Sequence, residues 1–446
     1  MTVRIYTTNE HGQYVPRTAS FGNRLHGASL AQVAKEASRD FLGFGLAITG
    51  SSCWNLNLME TEERRSLLRK LYTEEGLNMS IARLTVGSSD YSAEVYSYDD
   101  VPDDLSLKHF SIDRDREYII PMIKEILAVK PDLYLFASPW SPPGWMKTGG
   151  SMGGGYMREK YLDCYAEYYV KFLQAYAEEG ITIRALTPQN EAESHQNGRM
   201  PACIWHPDIM AKFIRILRQK LDEHGLNVEI WGYDHNFTGI ARVDWSLQEY
   251  PHLRQDLTGL AFHYYEWSIE QTRFFREKYP ELKLHFTEGG PHLLDHYSED
   301  WSKWALMIMK ALACGYSSFT GWNLMLDETG GPNIGPFDCG GFITRDTQTG
   351  NLSDSGQKLA FRHFTHIRPE SVIRPLVFER TAQCMKQFYR PSPYQTEGCL
   401  VENPDETVLI LVNPGQKREQ VQYEINGQWL YVEMLPNTVA TVILTA

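Results

Sequence analysis

The sequence Ile181-Thr-Ile-Arg-Ala-Leu-Thr187-Pro-Gln-Asn-Glu191 joins an apolar run to an amide and then to a carboxylate. Short apolar runs bounded by proline and polar residues are typical of buried β-strands. A strand that stops at Asn190-Glu191 presents both side chains at its carboxyl end. This stretch therefore predicts one strand of a parallel sheet, with Glu191 as a candidate acid/base that needs a second carboxylate opposite it.

Comparable apolar runs alternate with helical patterns between about residues 40 and 368. The eight predicted strands are 44–50, 79–86, 133–138, 181–187, 228–233, 257–263, 282–287 and 317–323. The predicted helices are about 60–75, 114–129, 157–180, 207–223, 268–278, 300–314 and 354–366. Each parallel strand needs a crossover connection, and eight such units in succession predict an α/β fold of the (β/α)8 TIM-barrel type.

An open, doubly wound sheet is the alternative to the barrel. That fold commonly carries a G-x-G-x-x-G motif after its first strand, and this sequence has none there. The absence of this motif and the unbroken series of eight units favour a closed barrel.

The two ends of the chain have a different pattern. Residues 1–38 and 369–446 contain alternating polar and apolar segments, and Asn426-Gly427 is a strong hairpin signal. We expect a small β-sandwich side domain built from the C-terminal segment, which the N-terminal strands complete. The predicted limits are therefore 1–38 for the N-terminal strands, 39–368 for the catalytic barrel and 369–446 for the C-terminal part of the sandwich.

Composition excludes several classes of protein. The chain has 446 residues, 42% hydrophobic, and a formal net charge of −13, so a nucleic-acid partner is not expected. The first twenty residues contain no apolar signal region, and no later run is long enough to span a bilayer, which predicts a cytoplasmic protein without membrane insertion. The seven scattered cysteines, Cys384 among them, predict reduced thiols.

A second carboxylate follows the seventh predicted strand. Glu288 ends the run Leu282-Lys-Leu-His-Phe-Thr287, three strands round the ring from the strand that ends at Glu191. In a TIM barrel the carboxyl ends of the strands carry the chemistry. Either residue alone is more often a solvated surface group or a helix cap. Together, across a pocket rich in aromatic residues, they form the pair that glycosidic bond cleavage requires.

Several motifs resemble glycoside hydrolase family 30, the glucosylceramidase-like family, from about Gly43 to Arg368. The motifs are Ser88-Ser-Asp-Tyr-Ser92, Ser138-Pro-Trp-Ser-Pro-Pro-Gly-Trp-Met-Lys-Thr148, Asn190-Glu191, His263-Tyr-Tyr265, Phe286-Thr-Glu288 and Gly321-Trp-Asn323. The long string after the third strand is specific, whereas Asn-Glu recurs in many barrel glycosidases. Members of this family pair a barrel with a sandwich built from both chain ends, which agrees with the expected architecture.

The resemblance implies a role for each matching residue in a retaining β-glycosidase. Glu191 is the acid/base and Glu288 the nucleophile. The implied substrate contacts are Asp90 and Trp140 to distal hydroxyls, Asn190 to the 2-hydroxyl, Tyr265 near the nucleophile and Trp322 as a wall. An acid/base must start the cycle protonated, so we expect a raised pKa at Glu191.

Other residues support more than one interpretation. Arg83 lies inside a strand and is costly to bury unpaired, so we expect it to brace a carboxylate, with Glu288 as the partner. His263 is either a structural hydrogen bonder or a substrate contact. Trp140 and Trp145 flank prolines and also suit loop packing. His195, His206 and Asp234-His235 fall on different loops without ligand spacing, so neither a metal nor another cofactor is predicted.

The predicted substrate is a small β-glucoside or related β-linked sugar or oligosaccharide. A β-xylosidase, a β-fucosidase and a β-1,6-glucanase are the alternatives within the family. A carbohydrate-binding protein without activity and a metal-dependent barrel hydrolase are the alternatives outside it. Two positions depart from the pattern of relatives, Ala192 directly after the acid/base and Phe337 in the segment after Gly330-Gly-Pro-Asn333.

Overall fold

Strands occur at both chain ends and in a central series. The structure, a computed structural model, describes residues 2–266, 268–379 and 395–445. The N-terminal strands are β1 (Thr2–Asn9), β2 (Gly12–Arg17), β3 (Ser20–Gly22) and β4 (Ser29–Val33). The central strands are β5 (Gly43–Ala47), β6 (Ile81–Thr85), β7 (Tyr134–Ser138), β8 (Ile183–Leu186), β9 (Glu229–Asn236), β10 (Gly259–His263), β11 (Lys283–Glu288) and β12 (Tyr316–Gly321). The later strands are β13 (Met325–Asp327), β14 (Ile343–Arg345), β15 (Leu352–Asp354), β16 (Val372–Glu379), β17 (Glu397–Glu402), β18 (Glu406–Asn413), β19 (Glu419–Ile425), β20 (Gln428–Met434) and β21 (Thr438–Thr445).

The eight central strands, β5 to β12, close into a barrel. Neighbouring strands from β5 to β11 pair in parallel, each with the next strand along the chain. Every residue of β5, β6, β10 and β12 is buried, as expected for strands covered on both faces. The predicted TIM barrel is confirmed, and each predicted strand overlaps an observed one.

Helices follow most of the barrel strands. They are α1 (Gly50–Asn57), α2 (Thr61–Tyr72), α3 (Asp113–Val129), α4 (Leu162–Glu178), α5 (Pro207–Glu223), α6 (Ile240–Glu249), α7 (Leu253–Asp256), α8 (Arg273–Lys278), α9 (Trp301–Ala313) and α10 (Gly356–Phe361). Helix α5 has the predicted bounds, and Pro207 begins it, a position that tolerates proline because the missing N–H has no helical partner.

Helices α1, α6 and α7 are absent from the sequence prediction. The segment that forms α6 does carry a helical signal, because Val243 and Leu247 are four residues apart and both are buried. The short run and its polar surroundings hide this signal in the sequence.

Strand β9 contains a bulge that extends it past the predicted end at Tyr233. Ala261 of β10 pairs with Tyr233 but Phe262 pairs with His235, so Asp234 has no partner in the ladder. Tyr233 and Asp234 have φ values of 78° and 60°, in the left-handed region that bulges often use. The extra residue turns the Asp234 side chain toward the barrel interior, where it is fully buried.

The strands of the two chain ends form one ten-stranded arrangement. Its order is β2-β1-β21-β18-β17-β16-β4-β19-β20-β3. The Asn426-Gly427 turn joins β19 and β20, with φ values of 51° and 79° that suit a type I′ turn. Leu409, Val421, Leu430 and Val442 are among the residues of its apolar core. The predicted sandwich, completed by N-terminal strands, is therefore confirmed.

The chain forms two compact units. One comprises residues 1–43, 295–317 and 354–446, and the other comprises 44–294 and 318–353. The predicted limits at 38 and 368 stay a prediction. The six described cysteines are free thiols, whereas Cys384 lies outside the described residues. Within the described ranges, the helices lack the combination of length and apolar character that crossing a bilayer demands.

His363 connects three segments of the first unit. Its Nε2 lies 2.7 Å from Thr8 Oγ1, and its Nδ1 lies 2.8 Å from Thr441 Oγ1. The ring is fully buried, and burial, together with the charge of Arg362, lowers the pKa of His363 to about 3. The imidazole is therefore neutral in the folded protein at neutral pH.

We expect this histidine to make stability fall in acid. An unfolded histidine has a pKa of about 6.5, so the unfolded chain binds the proton first as the pH drops. The stabilisation is fully present above about pH 6.5 and is lost at up to about 1.4 kcal/mol per pH unit below it. Urea unfolding from pH 7 to pH 4.5 should show a shallower decline in His363→Gln than in wild type. The exposed-site control His11→Gln should keep the wild-type slope, and an unchanged slope in His363→Gln would contradict the prediction.

Candidate active site

Glu191 follows the carboxyl end of β8 in a strained backbone conformation. Its φ is 50°, a left-handed value that costs a glutamate about 1–3 kcal/mol. Its backbone N–H donates to the carbonyl of Asp234 at 3.0 Å, which holds this conformation. Ala192 is 4% exposed, and its carbonyl accepts a hydrogen bond from the Trp205 N–H at 2.9 Å. The loop after Glu191 is thus anchored at Ala192.

Glu288 is the last residue of β11 and is 6% exposed. The hydroxyl of Tyr265 donates to its Oε1 at 3.0 Å, and Arg83 Nη1 donates to its Oε2. Both oxygens of this carboxylate are therefore held by donors, which fixes its orientation. Arg83 and Tyr265 therefore both contact Glu288, the partner that the sequence analysis expected for each of them.

Arg83 is the centre of the buried hydrogen-bond network. It lies in β6 and is fully buried. Beyond Glu288, its Nη2 donates to Asn190 Oδ1 and to Asp234 Oδ2, both at 2.8 Å, and its Nε donates to Ser138 Oγ at 3.2 Å. The guanidinium also lies 4.8 Å from the ring centre of Trp140. Two carboxylates offset its charge, so it is buried with its partners in place.

Asp234 is a second buried residue with several hydrogen-bond partners, and the sequence analysis did not predict this role for it. It accepts hydrogen bonds from Thr187 Oγ1 at 2.6 Å and Thr287 Oγ1 at 2.7 Å in addition to Arg83. Burial raises the pKa of this carboxyl, but the charges of Arg83 and His263 and these hydrogen bonds lower it well below its ordinary value. A charged residue directly after the apolar run 228–233 was the available signal.

His263 connects Asp234 to Glu191. Its Nε2 lies 3.0 Å from Asp234 Oδ1 and its Nδ1 lies 3.1 Å from Glu191 Oε1. Burial lowers the pKa of His263, but Glu288, Asp234 and Glu191 raise it to about 9. With a carboxylate oxygen at each ring nitrogen, the two contacts need two protons, one of which is shared with Glu191.

The expected rise in the pKa of Glu191 is wrong for this structure. Burial does raise it, but the hydrogen bond from His263 and the charges of His235, His263 and Arg83 together lower the pKa below its ordinary value. The sequence showed the second carboxylate, which favours a raised pKa, but not the cations around Glu191. In the free protein the proton therefore resides on the His263 side of this pair.

Aromatic side chains form one wall of the site. The rings of Trp140 and Trp322 stack with centres 5.1 Å apart, and Tyr91 contacts Trp322 edge-on at 5.8 Å. Both tryptophans are 2% exposed. Trp145 has a different position, where its Nε1 donates to the Asp99 carbonyl and its ring packs on Tyr161. Of Trp140 and Trp145, which both follow the third barrel strand, the structure brings only Trp140 to the site. Trp145 packs the loop.

Asp90 lies near both glutamates with one oxygen unpaired. It is 4% exposed, and its Oδ1 accepts no hydrogen bond from the residues described here. Burial raises its pKa well above the ordinary value, and the charges of Glu288 and Glu191 add to the rise. A buried polar atom without a partner needs a ligand or water to satisfy it. Phe337 is 39% exposed, and its carbonyl accepts hydrogen bonds from the Tyr91 hydroxyl and from Asn333 Nδ2.

The two glutamates face each other at short range. One carboxylate oxygen of Glu191, one ring nitrogen of His263 and one carboxylate oxygen of Glu288 all lie within 4.8 Å of one another. This spacing would suit a cation, but Arg83 already places a fixed positive charge on Glu288, which opposes one. The expectation of no metal stays a prediction.

Two further residues near Glu191 were missed in the sequence. Gln196 Nε2 lies 3.4 Å from Glu191 Oε2, and His235 Nε2 lies 3.7 Å from Glu191 Oε1. From the sequence, His235 was considered only as a possible metal ligand, and its spacing did not support that role. Because the bulge at Asp234 sets its direction, the sequence offered no way to place it.

A closed barrel with two opposed carboxylates at the ends of β8 and β11 defines a glycoside hydrolase. The model of the glycosyl hydrolase family 30 TIM-barrel domain matches residues 41–338, and the chain belongs to this family.

Relatives and solved structures agree with this membership. An endo-1,6-β-D-glucanase of Neurospora crassa is 30% identical over 352 residues, which are 74% of this chain and 71% of the relative. The lysosomal acid glucosylceramidase of Mus musculus is 28% identical over 65% of this chain and 61% of that protein. The crystal structure of SrfJ from Salmonella typhimurium has a TM-score of 0.88 at 25% identity, with 100% of both chains covered.

We expect Arg83→Met to destabilise the protein strongly. It leaves Asp234 and Glu288 buried without their cation, a loss of about 3–5 kcal/mol in the free energy of unfolding. Arg184→Met is a suitable control, because Arg184 is an exposed arginine of β8, and it should change this energy by less than about 0.5 kcal/mol. Urea unfolding measures both. Equal stability of Arg83→Met and wild type would show that the network is not required for the fold.

Proposed function

We propose that the chain is a retaining β-glycosidase with Glu191 as acid/base and Glu288 as nucleophile. The observation that carries the proposal is the distance of at most 4.8 Å between oxygens of the two carboxylates. Retaining enzymes place their carboxyl groups about 5–5.5 Å apart, so that one can attack the sugar directly.

The proposed reaction has two steps. In the first, a Glu288 oxygen bonds to the anomeric carbon, the glycosidic bond breaks, and Glu191 gives its proton to the departing oxygen. In the second, Glu191 takes a proton from water, the water oxygen bonds to the anomeric carbon, and the bond to Glu288 breaks. Arg83 and Tyr265 hold Glu288 by its two oxygens, so little reorganisation is needed as it attacks.

The proton for the first step is held by the Glu191–His263 pair. The two groups are 3.1 Å apart, within hydrogen-bond distance, so the proton can move along this contact. When a substrate displaces water from the site, charge on Glu191 becomes costlier, and the proton shifts from His263 Nδ1 to Glu191 Oε1. Asp234 keeps the second proton on Nε2 throughout.

The polar groups around the glutamates suit a sugar ring. The free Oδ1 of Asp90 accepts hydrogen bonds from hydroxyl groups. The Oδ1 of Asn190 is held by Arg83, which leaves its amide N–H groups for the 2-hydroxyl. The stacked pair Trp140 and Trp322 provides an apolar face for the C–H side of the ring. We propose a β-glucoside as the substrate on this basis.

A β-1,6-glucanase is the second candidate. The endo-1,6-β-D-glucanase of Neurospora crassa is 30% identical to this chain, and the match covers 71% of that relative. Initial rates on aryl β-glucosides, aryl β-xylosides, aryl β-fucosides and β-1,6-linked glucan distinguish the two proposals. Location in the cytoplasm stays a prediction.

Substitution of the two glutamates should separate their roles. We expect Glu288→Ala to lower kcat on a 4-nitrophenyl β-glucoside by at least about 10⁴-fold, because the covalent intermediate cannot form. Glu191→Ala should lose about 10²–10⁴-fold, the usual contribution of an acid/base group. Azide should restore turnover in Glu191→Ala and give a β-glycosyl azide. Full activity of Glu288→Ala, or an α-configured azide product, would contradict the mechanism.

Metal removal should leave the activity unchanged. Arg83 already supplies a fixed positive charge at Glu288, so this carboxylate needs no metal cation to balance it. We expect the same kcat/KM before and after dialysis against EDTA, measured on the same β-glucoside. A loss that zinc or manganese restores would support the metal-dependent alternative.

A further inference from the structure

His235 lies between the acid/base and another carboxylate. It follows the bulge in β9, and its side chain is 13% exposed. Its Nε2 is 3.7 Å from Glu191 Oε1, and its Nδ1 is 3.5 Å from Glu193 Oε2. Both distances exceed those of good hydrogen bonds. The Nδ1 atom is buried and has no hydrogen-bond partner among the residues that the structure describes.

Glu193 is held in place on its other side. The Tyr233 hydroxyl donates to Glu193 Oε2 at 2.9 Å, and Arg242 Nη1 lies 3.6 Å from Glu193 Oε1. Arg242 Nη2 also donates to the Trp205 carbonyl at 2.6 Å, which fixes the cation. Burial raises the pKa of Glu193, but His235, Arg242 and Tyr233 lower it below its ordinary value. Glu193 is therefore a fixed carboxylate behind His235.

We propose that His235 is a positioning residue that braces Glu191 against Glu193 while Glu191 gives up its proton. This inference rests on the proposed function, because it concerns the acid step of that reaction. When the proton passes to the departing oxygen, Glu191 becomes a carboxylate and its Oε1 attracts the Nε2–H of His235. The contact shortens to a charge-assisted hydrogen bond, and Glu193 accepts the Nδ1–H of the same ring.

The arrangement repeats that of His263 at the same oxygen of Glu191. His263 connects Glu191 Oε1 to Asp234, and His235 connects it to Glu193. The two rings are nearly perpendicular, with centres 6.2 Å apart. The difference is in the distances, because His263 makes normal hydrogen bonds in the free protein and His235 does not. His235 thus has room to tighten when charge develops on Glu191.

Leaving-group dependence tests this role. The 2,4-dinitrophenolate leaving group of a 2,4-dinitrophenyl β-glucoside departs without a proton. The leaving group of a phenyl β-glucoside needs a proton from the acid. We expect His235→Phe to lower kcat/KM on the phenyl substrate by about tenfold, a part of the usual acid contribution, and to leave the dinitrophenyl value nearly unchanged. Glu193→Gln should act in the same direction. His235→Gln keeps an N–H near the Nε2 position and should restore most of the phenyl activity.

The controls separate positioning from stability and from the proposed function. His252→Gln alters a histidine whose Nε2 lies 3.1 Å from the Ala211 carbonyl, and the ratio of the two kcat/KM values should not change. Equal losses on both substrates in His235→Phe, or no loss on either, would overturn the inference. If His235→Phe does not fold, Glu193→Gln gives the same comparison with the ring intact. Glu191→Ala must itself favour the dinitrophenyl substrate, and if it does not, the role proposed for Glu191 fails as well.

Discussion

The buried guanidinium of Arg83 is the constraint on which the rest of the site depends. Removing an ion from water costs several kcal/mol, and only well-placed partners offset that cost. Its acceptors come from four other places round the barrel: Ser138 in β7, Asn190 after β8, Asp234 in β9 and Glu288 in β11. They meet the guanidinium only if the strands close in the correct register. Closure of the barrel therefore also brings Asn190, Asp234 and Glu288 together around this cation.

The charges in the site alternate in sign. Glu288 contacts Arg83, Arg83 contacts Asp234, Asp234 contacts His263, and His263 contacts Glu191. Such a series satisfies each buried ion with an opposite one and leaves the two glutamates with different surroundings. Glu288 is bound by a permanent cation, whereas Glu191 is bound by a group that can lose its proton. This difference supports the separate roles proposed for the two carboxylates.

Much of this structure could be predicted from the sequence because it depends on local patterns. Apolar runs revealed the eight strands, and the positions of Glu191, shortly after the fourth, and Glu288, directly after the seventh, revealed the pair. The bulge at Asp234 could not be predicted, since a β-bulge is defined by the pairing of two strands distant in sequence. The prediction of a raised pKa for Glu191 was wrong for the same reason. His263 and His235 come from other strands, and their distances from Glu191 appear only in three dimensions.

The pairing of β1 with β21 connects the first and last described segments of the chain, with Thr2 opposite Thr445. A ribosome adds about 5–20 residues per second, so the N-terminal strand exists for about 20–90 seconds before its neighbour has been made. During synthesis one edge of β1 presents unpaired N–H and C=O groups to any other extended chain. Until β21 is made, this edge of β1 therefore stays open to pairing with another chain, which makes it a place where aggregation can begin.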